Sequence, residues 1–201
     1  ERLLGIGDEK RNVVEVVGDA LVHLDGREPQ PAGCVELCRA VRPLDGMARG
    51  LLQHGVTSFL PTGYTMPQAD LERFAETVRR WMPASPDDGA EPLGFNLEGP
   101  WVAPARKGAH NPDNLRNPGD MTEAELAPLL DGLRITTIAP ELPGALELIA
   151  RLRDLGVVTS IGHSAATPEQ VRAAVDAGAT LSTHLGNGAH AMIHRHRNTI
   201  F

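Results

Sequence analysis

The stretch RITTIAPELPGALELIARLRDLGVVTSIGHSAATPEQVRAAVDAGATLSTHL, residues 134–185, decides the fold. It reads as strand, helix, strand, helix, strand. RITTIAPE (134–141), VVTSIGH (157–163) and ATLSTHL (179–185) are short runs of branched and small residues that turn polar at their last positions. Between the first two, PGALELIARLRDLG carries Pro143 near its start and Gly156 just past its end, the order a helix favours. A second helix runs from Pro168 to Ala177 and is closed by Gly178. Strands that begin at 134, 157 and 179 leave room for one helix and two tight loops per repeat. Such alternation dictates parallel pairing through right-handed crossovers. The class is therefore α/β, closed either as a doubly wound open sheet or as a (β/α)8 barrel. An open sheet gathers ligands at one crevice, whereas a barrel draws site residues from the ends of many strands. The residues singled out below need the second arrangement. The expected fold is a (β/α)8 TIM barrel with about six strands present, where a complete one takes about 250 residues.

Upstream the same alternation continues. VTSFLPT (56–62) reads as a strand, and Gln68 to Trp81 as a helix with Leu71, Phe74, Ala75 and Val78 at helical spacing. MPASPDDGAEP is a Pro/Gly/Asp loop, and LGFNLEG (93–99) is the next strand. PWVAPARKGAHNPDNLRNPGD is too rich in Pro, Gly and polar residues to be an element, and a loop of that length is either functional or disordered. Thr122 to Glu125 is a capping box that opens a short helix ending near Leu130. PLDGMARGLLQHG reads as a helix ending at Gly55, and VVEVVGDALVHLDG holds a strand. The expected domain organisation is one partial barrel over 1–201, with 51–201 its βα units and 1–50 an opening region of weaker pattern.

Bulk properties narrow the class. The 201 residues are 41% apolar and 22% charged, enough for a real core. A formal charge of −7 and a pI near 5.6, with no long basic run, argue against a nucleic-acid partner. No apolar run is long enough to cross a bilayer, and ERLLGIGDEKRN is not a signal peptide. The two cysteines, Cys34 and Cys38, have the spacing of neighbours on a helix face and read as buried thiols in preference to a ligand pair, which fits a reducing, cytoplasmic location.

Three residues with metal-binding side chains stand at the ends of strand-like runs: Glu98 in FNLEGP, His163 in SIGHSA and His184 in STHLGN. Singly, each is equally a solvent-facing strand end. If the strands are parallel neighbours, their carboxyl ends lie side by side and the side chains converge. One carboxylate and two imidazoles make a zinc set with one position left for water, the mark of a catalytic site. His190, His194 and His196 crowd the carboxyl end with Arg195 and Arg197, either as a solvated basic segment or as an anion pocket. Asn187-Gly188 is a turn pair that could aim backbone N–H groups at an anion. His110, in the long loop, either covers the site or packs there. His54 and His23 read as structural.

GVTSFLPT (55–62), LEGPWVAPARKGAHNP (97–112), IAPE (138–141), IGHSAAT (161–167) and THLGNG (183–188) together resemble the N-acetylglucosamine-6-phosphate deacetylase family of the amidohydrolase superfamily. The resemblance covers about residues 51–198, with the motifs in family order. It implies a metal-dependent (β/α)8 enzyme with a small β-domain. The implied reaction converts N-acetylglucosamine 6-phosphate to glucosamine 6-phosphate and acetate. Glu98, His163 and His184 match the family's metal ligands, for one divalent ion, zinc. Ala109 and His110 match a loop that contacts the sugar. Asn187 and Gly188 match a pair whose backbone meets the substrate, and Arg195 falls where a phosphate-binding arginine is kept. The implied partners are a small amino-sugar phosphate and, at full length, a second copy in a homodimer, with neither nucleic acid nor membrane.

The chain departs from the family pattern in three places. THLGNGAHAMIHRHRN replaces the more usual THLFNAM followed by HHREPG. That retains Asn187 and Arg195 in altered surroundings, and it leaves open a different amide substrate or a non-catalytic metal- or sugar-phosphate-binding fragment. Only His23-Leu24-Asp25 stands near the His-x-His that many amidohydrolases carry on the first strand. The family's catalytic aspartate, on the eighth strand, is expected beyond Phe201, so no residue here is assigned as general base.

Overall fold

The computed structural model describes residues 13–17 and 42–185. The described elements are β1 (Val13–Val17), α1 (Arg42–Gln53), β2 (Ser58–Tyr64), α2 (Gln68–Trp81), β3 (Glu91–Pro92), β4 (Phe95–Glu98), α3 (Glu123–Leu130), β5 (Leu133–Ile138), α4 (Ala145–Asp154), β6 (Val158–Ile161), α5 (Pro168–Ala177) and β7 (Leu181–Ser182). They form two compact units. One takes the chain through Asn96 together with Ala124–Arg134, and the other takes Leu97–Glu123 and the chain from Ile135 onward. No described helix is long and apolar enough to cross a membrane.

In the first unit the strand order is β1-β2-β4-β5, with β3 paired to β2. β1 runs parallel to β2 in the register Val13↔Ser58 to Val17↔Thr62. β2 is buried along nearly its whole length, the pattern of a strand covered on both faces. α2 places Leu71, Phe74, Ala75, Val78 and Trp81 on its buried stripe at the i, i+3, i+4 and i+7 spacing of an amphipathic helix. Phe59 and Trp81 join Leu44, Met47, Ala48 and Ala90 in one core cluster. Each fully buried large side chain there is worth roughly 1.5–3 kcal/mol. The Trp81 indole N–H keeps a partner in Asp45 Oδ1 at 2.8 Å. Phe74 stacks edge-on against Phe95, with ring centroids 5.8 Å apart.

In the second unit β4, β5, β6 and β7 follow one another. β5 and β6 are parallel, Ile135↔Val158 to Ile138↔Ile161, and β6 and β7 are parallel, Ser160↔Leu181 and Ile161↔Ser182. The Thr136 hydroxyl donates to the Leu97 carbonyl at 2.9 Å. α4 buries Ala145, Leu148, Ile149 and Leu152. α5 opens on a reciprocal capping box between Thr167 and Gln170, with Pro168 at its first position.

The helices Gln68–Trp81 and Pro168–Ala177 have the bounds the pattern predicts, and the parallel β/α succession is as expected. β4, β5, β6 and β7 are shorter than read, while β2 keeps its length but is displaced by two residues, to Ser58–Tyr64. β6 stops at Ile161 and β7 at Ser182, because His163 and His184 take positive φ, which extended backbone does not allow. β5 stops at Ile138, and the next amide, of Ala139, donates to the Trp101 carbonyl at 2.9 Å. The two-residue β3 went unread in the Pro/Gly/Asp loop.

The long loop is neither an element nor loose. It makes three 3-10 turns, Pro104–Arg106, Pro112–Asn114 and Pro118–Asp120. Trp101, Val102 and Ala103 are buried, and the Trp101 indole contacts Met121 Sδ at 3.1 Å. Backbone bonds from Ala103 to the His163 carbonyl and from Gly119 to the Pro143 carbonyl tie it to the βα loops.

Candidate metal centre

Glu98 is the last residue of β4, buried at 6% exposure, and Gly99 follows with φ 94, so the chain turns away at once. His163 and His184 each lie two residues past the ends of β6 and β7, which are in register as Ile161↔Ser182. They are the only non-glycine residues with positive φ among the described residues, at 49° and 54°. Histidine is one of the few side chains that tolerates this region. Equivalent positions and the same unusual backbone turn both imidazoles towards one point: His163 Nε2 lies 2.9 Å and His184 Nε2 2.7 Å from Glu98 Oε1. The two rings are 5.2 Å apart between centroids.

The other face of His163 fixes its chemistry. Nδ1 lies 2.9 Å from the Arg106 carbonyl oxygen, which can only accept, so Nδ1 carries a proton. In the neutral ring Nε2 then presents its lone pair to the Glu98 carboxylate. A lone pair facing an anionic oxygen at hydrogen-bond distance requires a positive species between them, either a proton or a metal ion. A backbone carbonyl behind a ligating imidazole is also the usual arrangement that orients a metal ligand. The donor set thus fits a divalent cation.

Electrostatics follow the geometry. Burial pushes the Glu98 carboxyl up, but hydrogen bonds from His163 and His184 and their positive charge outweigh it and bring it from 4.5 to about 2. His163 is raised, chiefly by its bond to Glu98, against the opposing effect of burial. His110 is lowered, by burial first and then by the charge of His163, so it stays neutral near pH 7.

His110 is nearly fully buried, and its ring meets the His163 ring edge-on at 4.6 Å. Ligating atoms of Glu98, His110 and His163 all lie within 4.8 Å of one another. The neighbouring Ala109 is exposed, and Gly108, at φ 56, brings the loop so close that a Cβ there would lie 3.4 Å from His163 Cε1. The structure therefore brings together Glu98, His163 and His184, with His110 beside them. Asn187, Gly188 and Arg195, like Cys34, Cys38, His23, His190, His194 and His196, lie outside the described residues.

Two supports are neighbours of the histidines in sequence, Thr183 with a hydroxyl able to hold nearby groups and Gly162 small enough to leave room. The Thr183 hydroxyl, one residue before His184, bonds Thr137 Oγ1 at 3.0 Å and Ser160 Oγ at 2.6 Å, joining the ends of β5, β6 and β7. Gly162 allows this approach, since a Cβ there would lie 2.8 Å from Thr183 Cβ and 2.9 Å from Thr137 Cγ2. The Arg106 carbonyl has no sequence signature, because any residue type supplies one.

No protein-family model matches the chain. Among curated proteins it is 41% identical over 160 residues to an N-acetylgalactosamine-6-phosphate deacetylase of Escherichia coli O157:H7, covering 76% of this chain and 40% of that protein. It is 39% identical over 157 residues to the N-acetylglucosamine-6-phosphate deacetylase of Homo sapiens, covering 74% and 37%. Among solved structures it resembles an N-acetyl-D-glucosamine-6-phosphate deacetylase variant of Mycobacterium smegmatis in complex with N-acetyl-D-glucosamine-6-phosphate (TM-score 0.64, 37% identity, 83% of this chain and 41% of that one). It also resembles the N-acetylglucosamine-6-phosphate deacetylase of Thermotoga maritima (TM-score 0.68, 31% identity, 77% and 41%). The chain spans about two fifths of the length of these relatives. Its parallel β/α succession matches part of these structures, which are amidohydrolase-type TIM barrels.

Proposed function

We propose that this chain, a homologue of the N-acetylglucosamine-6-phosphate deacetylases over about three quarters of its length, carries the metal centre of a hydrolase that removes the acetyl group from N-acetylglucosamine 6-phosphate. The observation that carries this reading is the convergence of His163 Nε2 and His184 Nε2 on a single oxygen of Glu98.

Glu98, His163 and His184 are the ligands in this reading, for one divalent ion, and zinc suits a carboxylate and two imidazoles with a position left open. When bound, such an ion lowers the pKa of a water and polarises a carbonyl. The chain's own residues do the rest. The Arg106 carbonyl holds His163 in the tautomer that offers Nε2. Glu98 is ionised throughout the physiological range. His184 rather than His110 is the third ligand, because His184 and His163 share register, backbone conformation and aim. His110, kept neutral by burial, can lend a ring N–H to the acetamide oxygen, with Ala109 beside the sugar. Asn187 and Gly188 meet the substrate through their backbone and Arg195 grips the phosphate, both by the resemblance. Water adds to the acetyl carbon, the C–N bond breaks, and the amine leaves with a proton, giving acetate and glucosamine 6-phosphate. No residue of this chain is assigned that proton transfer. Residues 1–201 belong to one barrel domain in this reading, and the whole enzyme is a cytoplasmic homodimer.

A second reading, that the substrate is the galactosamine epimer, is favoured by the 41% identity to the Escherichia coli relative. The test measures acetate released by the whole protein from N-acetylglucosamine 6-phosphate, N-acetylgalactosamine 6-phosphate and both unphosphorylated sugars. Preference for the first supports the proposal and preference for the second supports its epimeric form. Equal rates with and without phosphate remove the phosphate from the reading.

A further inference from the structure

Glu141 stands three residues past the end of β5 and has no part in the donor set described above. Its carboxylate is nonetheless spent entirely on the loop that carries His163. Oε2 accepts the Ser164 hydroxyl at 2.6 Å, and Oε1 accepts the Ala165 backbone N–H at 2.5 Å. Ser164 Oγ in turn accepts the Ala166 N–H at 2.9 Å, and Gln170 Oε1 accepts the Thr167 N–H at 2.9 Å. Every amide from Ala165 to Thr167 therefore has a side-chain acceptor, and the first link is the Glu141 carboxylate. The clamp closes one residue after His163, whose φ of 49° costs energy and persists only where neighbours hold it. On the other side the Ala103 N–H donates to the His163 carbonyl at 3.0 Å, and the Arg106 carbonyl takes Nδ1.

We infer that Glu141 is a positioning residue for the metal centre: it holds residues 163–165 in the conformation that aims His163 Nε2 at Glu98. The inference rests on the assignment of His163 as a ligand. Hydrogen bonds to a carboxylate are shorter and stronger than those between neutral groups. Replacing it frees the loop to relax His163 out of the left-handed region, and the imidazole moves with its backbone. Outer partners of this kind typically contribute about 10- to 100-fold to metal affinity.

The test uses cobalt(II) alone as the probe, titrated into chelator-treated protein, with its visible absorption reporting ligand geometry. Glu141→Ala is expected to weaken cobalt binding about 10- to 100-fold and to shift the absorption bands. Glu141→Gln, which keeps one acceptor oxygen, should restore part of the affinity and most of the spectrum. It also carries the test if the alanine variant does not fold. Ser164→Ala, which leaves the Ala165 bond in place, should lie between wild type and Glu141→Ala. Cobalt bound by wild type and lost in His163→Ala, yet held with unchanged affinity and spectrum in Glu141→Ala or Glu141→Gln, would overturn the role of Glu141 while leaving the metal centre standing. Cobalt binding by wild type that His163→Ala does not disturb would overturn both.

Discussion

Replacing Glu98 by glutamine removes one negative charge and almost no volume, and its effect on the metal-free protein can be worked out from the structure. Glu98 Oε1 accepts from both imidazoles, and the carboxyl titrates at about 2 in place of 4.5. At about 1.4 kcal/mol per tenfold change in acidity, that displacement is on the order of 3 kcal/mol of stability at a pH where the carboxylate is charged. A separate route agrees. Two charge-assisted hydrogen bonds are worth about 1.5–3 kcal/mol each, and a glutamine oxygen keeps about half of that, which leaves roughly 1.5–3 kcal/mol lost. The sign with pH follows from the directions. Glu98 is depressed, so its contribution is whole above pH 4.5 and disappears as the pH falls towards 2. His163 is raised, so its share is whole below its ordinary 6.5 and disappears as the pH climbs through the elevated value. The penalty of Glu98→Gln is thus largest between those limits. Urea unfolding of chelator-treated wild type and variant at about pH 5.5 should differ by roughly 2–3 kcal/mol, and the gap should shrink markedly by about pH 9. A gap that is absent at pH 5.5, or equal at both pH values, would refute the pairing of the carboxylate with a protonated His163.

Two further outcomes follow from the same geometry. Metal uptake near pH 7 should expel a proton from His163, so the apparent binding enthalpy should vary with the ionisation enthalpy of the buffer, and buffer-independent calorimetry would contradict it. Gly162→Ala drives a Cβ to 2.8 Å from Thr183 and 2.9 Å from Thr137, and should cost about 1–3 kcal/mol in thermal or urea unfolding while weakening metal binding, whereas unaltered stability would show that β6 and β7 separate freely.

Much of this was legible in the sequence because it was written in period and punctuation. Apolar residues at helical spacing bounded by Pro67 and Met82 fixed α2, and Pro168 with Gly178 bounded α5. Glu98, His163 and His184 stood out because each closed a strand-like run, and parallel pairing of those runs brings their ends together. The ends of β6 and β7 were misplaced by two and three residues because they are set by φ at His163 and His184, which composition does not report. Trp101 read as part of a polar loop, and its burial depends on partners such as Met121 and Ala139. The supports of the site were the least legible. Glu141 and Ser164 are 23 residues apart, and the Arg106 carbonyl is 57 residues from the ring it orients. His110 had the right residue type in the right loop, but only the fold places it against His163.

In the function proposed above, Glu98, His163 and His184 hold one divalent metal ion. Elemental analysis of purified, zinc-reconstituted protein tests it, with His163→Ala, His184→Ala and, as a control, His54→Ala, an exposed residue of the other unit. About one ion per chain is expected in wild type and in His54→Ala, and a small fraction of that in either ligand variant. Wild-type stoichiometry retained in both His163→Ala and His184→Ala would contradict it.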